Sequence, residues 1–149
     1  MIKCIIIDLD GTLINTSALD EIKKQRRWSE IPDNLHLCTP YNEAIDVLDT
    51  ARSAGIKVSI FTNSPSKTVD YVLKYFNISV DYVVAFHDVQ RHKPSSEGVE
   101  KTLNHFGLEC SEAVYLGDTD DDSAAASSAN VEFFAVDWGQ VSNIEKSHL

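Results

Sequence analysis

The sequence has few cysteines, and their placement excludes two common kinds of structural site. Its 149 residues contain three cysteines, Cys4, Cys38 and Cys110, and no Cys-x-x-Cys pair. An odd number of widely separated cysteines offers neither a disulfide framework nor a zinc-binding pattern. Cys4 lies within the first apolar run, so we expect it to be a small buried core residue.

Long apolar runs and an excess of positive charge are also missing. No apolar stretch approaches the about 18 residues that a membrane span needs, and the first residues lack the pattern of a signal peptide. The formal net charge is -10 at pH 7, which disfavours nonspecific binding to nucleic acids or membranes. We therefore expect a cytoplasmic protein with no membrane partner and no nonspecific nucleic-acid binding.

The composition is that of an ordinary globular protein. Hydrophobic residues make up 43% of the chain and charged residues 24%, and we find no internal repeat or low-complexity linker. This length is enough for one domain with a full core. We expect a single domain over residues 1–149, with a small lid or cap insertion at about residues 15–39.

Short apolar runs alternate with amphipathic segments along the chain. The runs predict strands over residues 3–9, 57–61, 81–86, 113–116 and 132–136. The segments between them predict helices, among them one over residues 40–54 with Pro40 in its first turn and one capped by Ser64 with Pro65 following. This order indicates an α/β fold, a doubly wound, Rossmann-like parallel sheet of about five strands with helices on both faces.

Residues 15–39 interrupt this alternation. Ser17 to Asp20 has the pattern of a capping box, which predicts the start of a helix. A basic run over residues 23–27 follows, and it has two interpretations: a solvated helix face, or a surface that attracts an anionic substrate. A connection of this length without repeating structure is often an active-site lid.

Six carboxylates are concentrated in two short segments, each directly after a predicted strand. Asp8 and Asp10 follow the first strand, and the others follow the fourth, at Asp118, Asp120, Asp121 and Asp122. Open α/β sheets bind their ligands at the carboxyl ends of the strands, so both sets belong at one edge. Clustered carboxylates favour a hard cation such as Mg²⁺.

Two further motifs follow the second and third strands. Thr62 and Asn63 lie between the second strand and the next helix, where a hydroxyl and free N–H groups favour an anion. Lys93, within His92-Lys93-Pro94, supplies a positive charge. A phosphorylated substrate, either a small molecule or a macromolecule, would suit this combination.

Taken in order, four motifs closely resemble those of the haloacid dehalogenase superfamily of phosphotransferases. They are Asp8-x-Asp10-Gly11-Thr12, Phe61-Thr62-Asn63-Ser64, His92-Lys93-Pro94 and Gly117-Asp118-Thr119-x-x-Asp122, and the likeness runs from Lys3 to Gly139. The resemblance implies a phosphatase with a minimal cap, in which Asp8 is the nucleophile that forms an aspartyl-phosphate and Asp10 the general acid and base.

The same resemblance implies ligands for Mg²⁺ and phosphate. The ion would be held by Asp8, by the main-chain carbonyl of Asp10 and by Asp118, while Lys93 would contact both nucleophile and phosphate. By its spacing, Asp122 is expected either to support the metal site or to orient Lys93. Asp120 and Asp121 are expected to begin a helix, where acidic residues are favoured, although a direct role for Asp121 stays open.

The roles of four other polar or aromatic residues are left open. His87 and His92 flank the Lys93 loop and could contact substrate, but histidines in surface loops are common. Trp28 and Trp138 are expected to be packing residues rather than stacking platforms. None of the four is assigned to the site.

The type of reaction depends on Asp10. By resemblance, members that cleave carbon–halogen bonds lack this second aspartate, whereas phosphatases and phosphomutases have it. Mutases generally need a larger cap, so we expect Mg²⁺-dependent hydrolysis of a phosphomonoester. The alternatives are a phosphomutase, a non-catalytic binding module, or a phosphoacceptor module, although the spacing of Asp8 and Asp10 does not fit the last. The substrate and the oligomeric state stay undetermined.

Overall fold

A five-stranded parallel sheet forms the centre of the computed structural model, which describes residues 1–138. The strands of the chain are β1 (Cys4–Ile7), β2 (Ile14–Asn15), β3 (Thr39–Pro40), β4 (Lys57–Phe61), β5 (Tyr82–Val84), β6 (Ala113–Gly117) and β7 (Glu132–Ala135). The sheet order is β5-β4-β1-β6-β7 and every adjacent pair is parallel. The predicted doubly wound fold is confirmed. Gly139, where the family likeness was expected to end, and residues 140–149 of the predicted domain lie outside the described residues.

Helices cover both faces of this sheet. They are α1 (Asp20–Lys24), α2 (Ile31–Asn34), α3 (Asn42–Ser53), α4 (Ser66–Tyr75), α5 (Glu97–Phe106) and α6 (Asp120–Ser128). Buried residues of α3 and α4 belong to one apolar cluster, and those of α5 and α6 belong to a second. Within residues 1–138, no helix is both long and apolar enough to cross a membrane.

The central strand β1 shows why a continuous apolar run becomes a buried strand. Cys4 and Ile6 join the cluster on the α5 and α6 side, and Ile7 joins the cluster on the other side. All three are fully buried, as successive side chains of a strand point to opposite faces. Burying such a side chain stabilises the fold by about 1.5–3 kcal/mol.

β1 is shorter than the predicted strand over residues 3–9, because the chain turns directly after Asp8. The main-chain carbonyl of Leu9 accepts hydrogen bonds from the N–H groups of Leu13 and Ile14, both at 3.0 Å. This turn ends the strand and places Asp8 at the carboxyl edge of the sheet. The predicted site residues that directly follow β4 and β6, Thr62 and Asp118, reach the same edge.

The insertion over residues 15–39 is anchored to the core. β2 and β3 pair in antiparallel fashion and hold its two ends together. Its apolar residues enter the cluster beneath α3 and α4; they are Leu19, Ile22, Ile31 and Leu35. The predicted capping box is wrong, because α1 begins at Asp20, and the N–H and hydroxyl of Ser17 both donate to the side chain of Asn15.

Two predicted helix starts also need correction. Pro40 belongs to β3, and α3 begins at Asn42 instead. Ser64 does not cap α4, which begins at Ser66, because its hydroxyl donates to the carboxylate of Asp10 at 2.8 Å. The Ser64 side chain thus bonds to the carboxylate of Asp10, which is distant in the sequence, and does not form the helix cap that its local pattern predicts.

Candidate active site

Asp8 and Lys93 form a buried ion pair at the carboxyl end of β1. The Oδ1 atom of Asp8 accepts hydrogen bonds from the N–H of Leu9 at 2.8 Å and from Lys93 Nζ at 3.0 Å. Lys93 Nζ also lies 2.6 Å from Oδ1 of Asp122, which is fully buried. The Lys93 side chain is only 5% exposed. One buried ammonium therefore serves two buried carboxylates, which need such a partner in a site of low polarity.

The positive charge of Lys93 does not fully offset the burial of the Asp8 carboxylate. Burial raises the pKa of Asp8 to about 8 despite the opposing effect of Lys93, and the carboxylate of Asp122 contributes to the rise. For Asp122, burial acts in the same direction, but the charge and hydrogen bond of Lys93 outweigh it and lower the pKa. A further cation beside Asp8 would favour its ionised, nucleophilic form.

Asp118 completes a group of three carboxylates. Asp8, Asp118 and Asp122 each offer one oxygen atom, and these atoms lie within 4.8 Å of one another. The hydroxyl of Thr12 donates to Asp118 Oδ1 at 3.2 Å, and burial raises the pKa of Asp118. Oxygen ligands at this separation suit a hard divalent cation.

Two glycines allow this group to assemble. Gly11 has a φ of +80°, and a Cβ atom there would lie 2.5 Å from Asp118 Oδ2. A Cβ atom on Gly117 would lie 2.5 Å from Asp122 Oδ2. Any side chain at either position would displace a carboxylate of the group, and at Gly11 it would also strain the backbone.

The side chain of Asp10 lies outside this group and has partners of its own. Its Oδ1 accepts from the hydroxyl of Thr16 at 2.6 Å and forms an ion pair with Lys23 Nζ. Its Oδ2 accepts from the hydroxyl of Ser64 at 2.8 Å and from that of Thr62 at 3.5 Å. The two aspartates of the first motif thus have different partners: Asp8 contacts Lys93, and Asp10 contacts Lys23.

These partners set the charge state of Asp10. Burial alone would raise its pKa, but the Lys23 ammonium, together with hydrogen bonds from Lys23, Thr16 and Ser64, lowers it below its ordinary value. Asp10 is therefore an ionised carboxylate near neutral pH. In this state it can accept a proton from water.

Lys23 is one of three residues around Asp10 that the sequence did not single out. It belongs to the basic run, and its side chain is 18% exposed, whereas residues 24–27 are exposed. The five-residue helix α1 buries one apolar residue, Ile22, so no periodic pattern distinguished Lys23 from Lys24. Ser64 was missed because its partner Asp10 is 54 residues away in the sequence and its local pattern indicates a helix cap. Thr16 lies six residues from Asp10, and no local pattern indicates its contact with that carboxylate.

The predicted phosphate-binding residues lie beside Asp10. Thr62 is buried, and its hydroxyl accepts from the N–H of Ser64 at 3.0 Å. Asn63 faces outward and lines a cavity of about 420 Å³, whose other lining residues are Arg26, Trp28, Pro65, Phe86 and His87. The lining comes from the insertion, the segment before α4 and the segment after β5, and Asn63 and Pro65 flank Ser64, the partner of Asp10, in the sequence.

The two histidines differ in their surroundings. His92 stacks on the ring of Phe86 with centroids 4.0 Å apart, and its Nε2 lies 2.7 Å from the main-chain carbonyl of Phe86. His92 therefore shapes the loop before Lys93. His87 instead lines the cavity beside Asn63.

The two tryptophans also differ. Trp138 packs against Tyr41, and its Nε1 donates to the main-chain carbonyl of Thr12 at 2.9 Å, so it is a packing residue as predicted. Trp28 is 38% exposed and lines the cavity instead of the core.

The remaining acidic residues begin helix α6. Asp120 and Asp121 occupy its first turn, as expected from the preference of helix N-termini for acids. Thr119 caps this helix by accepting from the N–H of Asp122 at 3.1 Å. The cap fixes the direction of the Asp122 side chain, which also accepts from the Tyr115 hydroxyl at 2.7 Å.

Known proteins share this sequence pattern and this fold. The model of the family described as haloacid dehalogenase-like hydrolase matches residues 17–136. The chain belongs to this family. It is 32% identical over 127 residues to the pyrophosphatase PpaX of Bacillus velezensis, a match that covers 84% of this chain and 59% of that protein. The predicted family of hydrolases is confirmed.

A second relative and a solved structure extend the comparison. The pyrophosphatase PpaX of Bacillus cereus is 25% identical over 181 residues, covering 92% of this chain and 84% of that protein. That alignment is longer than this chain, so the relative has segments without a counterpart here. The fold matches the crystal structure of a subfamily IA haloacid dehalogenase hydrolase from Geobacter sulfurreducens, with a TM-score of 0.76, 24% identity and coverage of 91% and 89%.

Proposed function

We propose that this hydrolase is a Mg²⁺-dependent phosphomonoesterase that acts through an aspartyl-phosphate on Asp8. The observation that carries the proposal is the difference between the surroundings of Asp8 and those of Asp10. Asp8 lies among charged groups that suit a nucleophile and a cation, and Asp10 lies apart among proton donors. Such a pair fits a displacement that needs one nucleophile and one acid or base.

The carboxylates present fit a magnesium ion. Asp8, Asp118 and Asp122 would hold it, and the main-chain carbonyl of Asp10 is the further ligand that the family resemblance implies. When bound, the ion would neutralise charge on the phosphate and on the attacking carboxylate.

Asp8 would attack phosphorus through its Oδ2 atom. Within the described residues, both hydrogen bonds to its carboxylate go to Oδ1. Oδ2 would form the bond to phosphorus while the bond from phosphorus to the leaving oxygen breaks. Lys93 would hold the orientation of Asp8 and contact the oxygens of the phosphoryl group.

Asp10 would handle the protons of both half-reactions. Ionised in the ligand-free protein, Asp10 would take up a proton when an anionic phosphate binds beside it and would donate that proton to the leaving oxygen in the first half-reaction. In the second it would accept a proton from the attacking water. Thr16 and Ser64 hold its two oxygens in place, so the carboxylate keeps one orientation. Thr62 and the N–H groups near Asn63 would bind the phosphate at the start of α4.

The substrate would be a phosphorylated molecule, and the relatives suggest which classes to try first. Two relatives are pyrophosphatases, which makes pyrophosphate a candidate beside phosphate monoesters of small molecules or macromolecules. The net charge of -10 supports the proposal that membranes and nonspecific nucleic acids are not partners. The free cysteines among the described residues support a cytoplasmic location.

Hydrolysis of para-nitrophenyl phosphate tests this function. Wild-type protein should turn the substrate over with Mg²⁺ and lose activity in a chelator, and Asp8→Asn should be inactive in both conditions. Asp120→Asn is the matched control, because it removes an exposed carboxylate from the first turn of α6 and should keep the wild-type rate. A folded Asp8→Asn protein with wild-type turnover would refute the proposal.

A further inference from the structure

The ammonium of Lys23 lies at the site without belonging to the core machinery. It pairs with Asp10 Oδ1 and lies 3.3 Å from the hydroxyl of Ser64. An ammonium has three donors, and in the part of the chain that the structure describes it has these two partners. A third N–H remains for a ligand, and the partly exposed side chain is open to one.

The two lysines of the site pair with different aspartates. Lys93 contacts Asp8 and Asp122, which places its charge with the nucleophile. Lys23 contacts Asp10, the residue that would protonate the leaving oxygen. In the displacement described above, Lys23 would therefore lie on the side of the leaving group.

The position of Lys23 is fixed by packing. Leu19 and Ile22, on either side of the start of α1, are buried in the cluster beneath α3 and α4. The next residue, Lys24, is exposed on the same short helix. Helix α1 thus directs Lys23 to the site and Lys24 to solvent. Replacing Lys24 is therefore a matched control for replacing Lys23.

A cavity with a cationic side chain of its own is lined by the two residues that flank Ser64 in the sequence. Ser64, the hydrogen-bonding partner of Lys23, lies between Asn63 and Pro65, and both of these line the cavity of about 420 Å³. Arg26, three residues after Lys23, lines the same cavity. A leaving group that extends from Lys23 into this cavity would also meet Arg26.

We propose that Lys23 is a specificity-determining residue that binds a negatively charged leaving group. The inference rests on the proposed function and narrows its substrate class to phosphate compounds whose leaving group carries a carboxylate or a second phosphate. The leaving oxygen takes the electron pair of the broken bond to phosphorus and a proton from Asp10. Lys23 keeps its protons and pairs with the negative charge of the leaving group.

Three substrates with leaving groups of different charge test the inference. 2-Phosphoglycolate has an anionic leaving group, n-propyl phosphate a neutral one and phosphoethanolamine a cationic one. For wild-type protein, kcat/KM should decrease in that order. In Lys23→Met, kcat/KM for phosphoglycolate divided by kcat/KM for propyl phosphate should fall about 10- to 100-fold, as expected for the loss of a charged hydrogen bond. Lys23→Arg should retain the preference, and Lys24→Met should leave the ratio unchanged.

The outcomes separate this inference from the proposed function. Inactivity of the wild-type protein toward para-nitrophenyl phosphate and all three substrates would overturn both. Turnover with the same ratio in wild-type and Lys23→Met proteins, or no wild-type preference for phosphoglycolate, would overturn only the role of Lys23. If only para-nitrophenyl phosphate is hydrolysed, the inhibition constants of the three compounds against that reaction replace kcat/KM in the comparison. The same changes between wild-type and Lys23→Met proteins then support or overturn the role of Lys23.

Discussion

Replacing Asp8 with Asn should change how the stability of the metal-free protein depends on pH. Burial raises the pKa of Asp8 to about 8, well above the about 3.9 of an aspartate in an unfolded chain. Between these values the folded protein binds the proton that the unfolded chain releases. The contribution of Asp8 to stability is therefore full below about pH 4 and is lost as the pH rises through about 8.

The expected magnitude follows from this difference. One pKa unit corresponds to about 1.4 kcal/mol, so the free energy of unfolding should lose about 3–4 kcal/mol between about pH 5 and about pH 8 through Asp8. An asparagine at this position has no proton to lose. The wild-type protein should therefore become less stable relative to Asp8→Asn by about this amount over the same interval.

Urea denaturation in the presence of a chelator, followed by circular dichroism, measures this difference. Comparing the two proteins at each pH cancels most contributions of the other titrating groups. Added Mg²⁺ should restore stability to the wild-type protein at about pH 8 and do much less for Asp8→Asn, because a ligand of the folded state stabilises it. A relative change below about 1 kcal/mol would refute the reasoning about Asp8.

Three further changes have defined consequences. Lys93→Met should lower the free energy of unfolding at pH 7 by about 3–5 kcal/mol in urea denaturation, because the buried, ionised carboxylate of Asp122 loses its partner; an unchanged midpoint would contradict this. Gly11→Ala should weaken Mg²⁺ binding at least about tenfold in calorimetry, since its Cβ displaces Asp118; wild-type affinity would contradict the proposed ligand set. Ser64→Ala should lower kcat by about 10-fold or more with a smaller effect on KM, because Asp10 loses a positioning hydrogen bond; an effect on KM alone would argue against that role.

The fold could be predicted because its determinants are local. The apolar run of β1 is continuous since both faces of the strand are covered, and Cys4 and Ile6 alternate with Ile7 between two clusters. Similar runs separated by amphipathic segments leave few topologies other than a parallel sheet. The carboxyl ends of the strands then bring Asp8 and Asp118 to one edge without further information.

The contacts around Asp10 could not be predicted in the same way. Lys23 reaches Asp10 from a short helix without periodicity, and Ser64 approaches from a segment 54 residues away. Their local sequence patterns favour a solvated helix face and a helix cap. Only the folded chain shows that one carboxylate contacts both residues, so the inference about the leaving group could not have been drawn from the sequence.

The most direct test of the central claim is ¹⁹F NMR with trifluoroberyllate, which mimics a phosphoryl group on aspartate. In the presence of Mg²⁺ the wild-type protein should give new, protein-bound fluorine signals, and Asp8→Asn should give none. The same bound signals in a folded Asp8→Asn protein would contradict the assignment of Asp8 as the residue that carries the phosphoryl group.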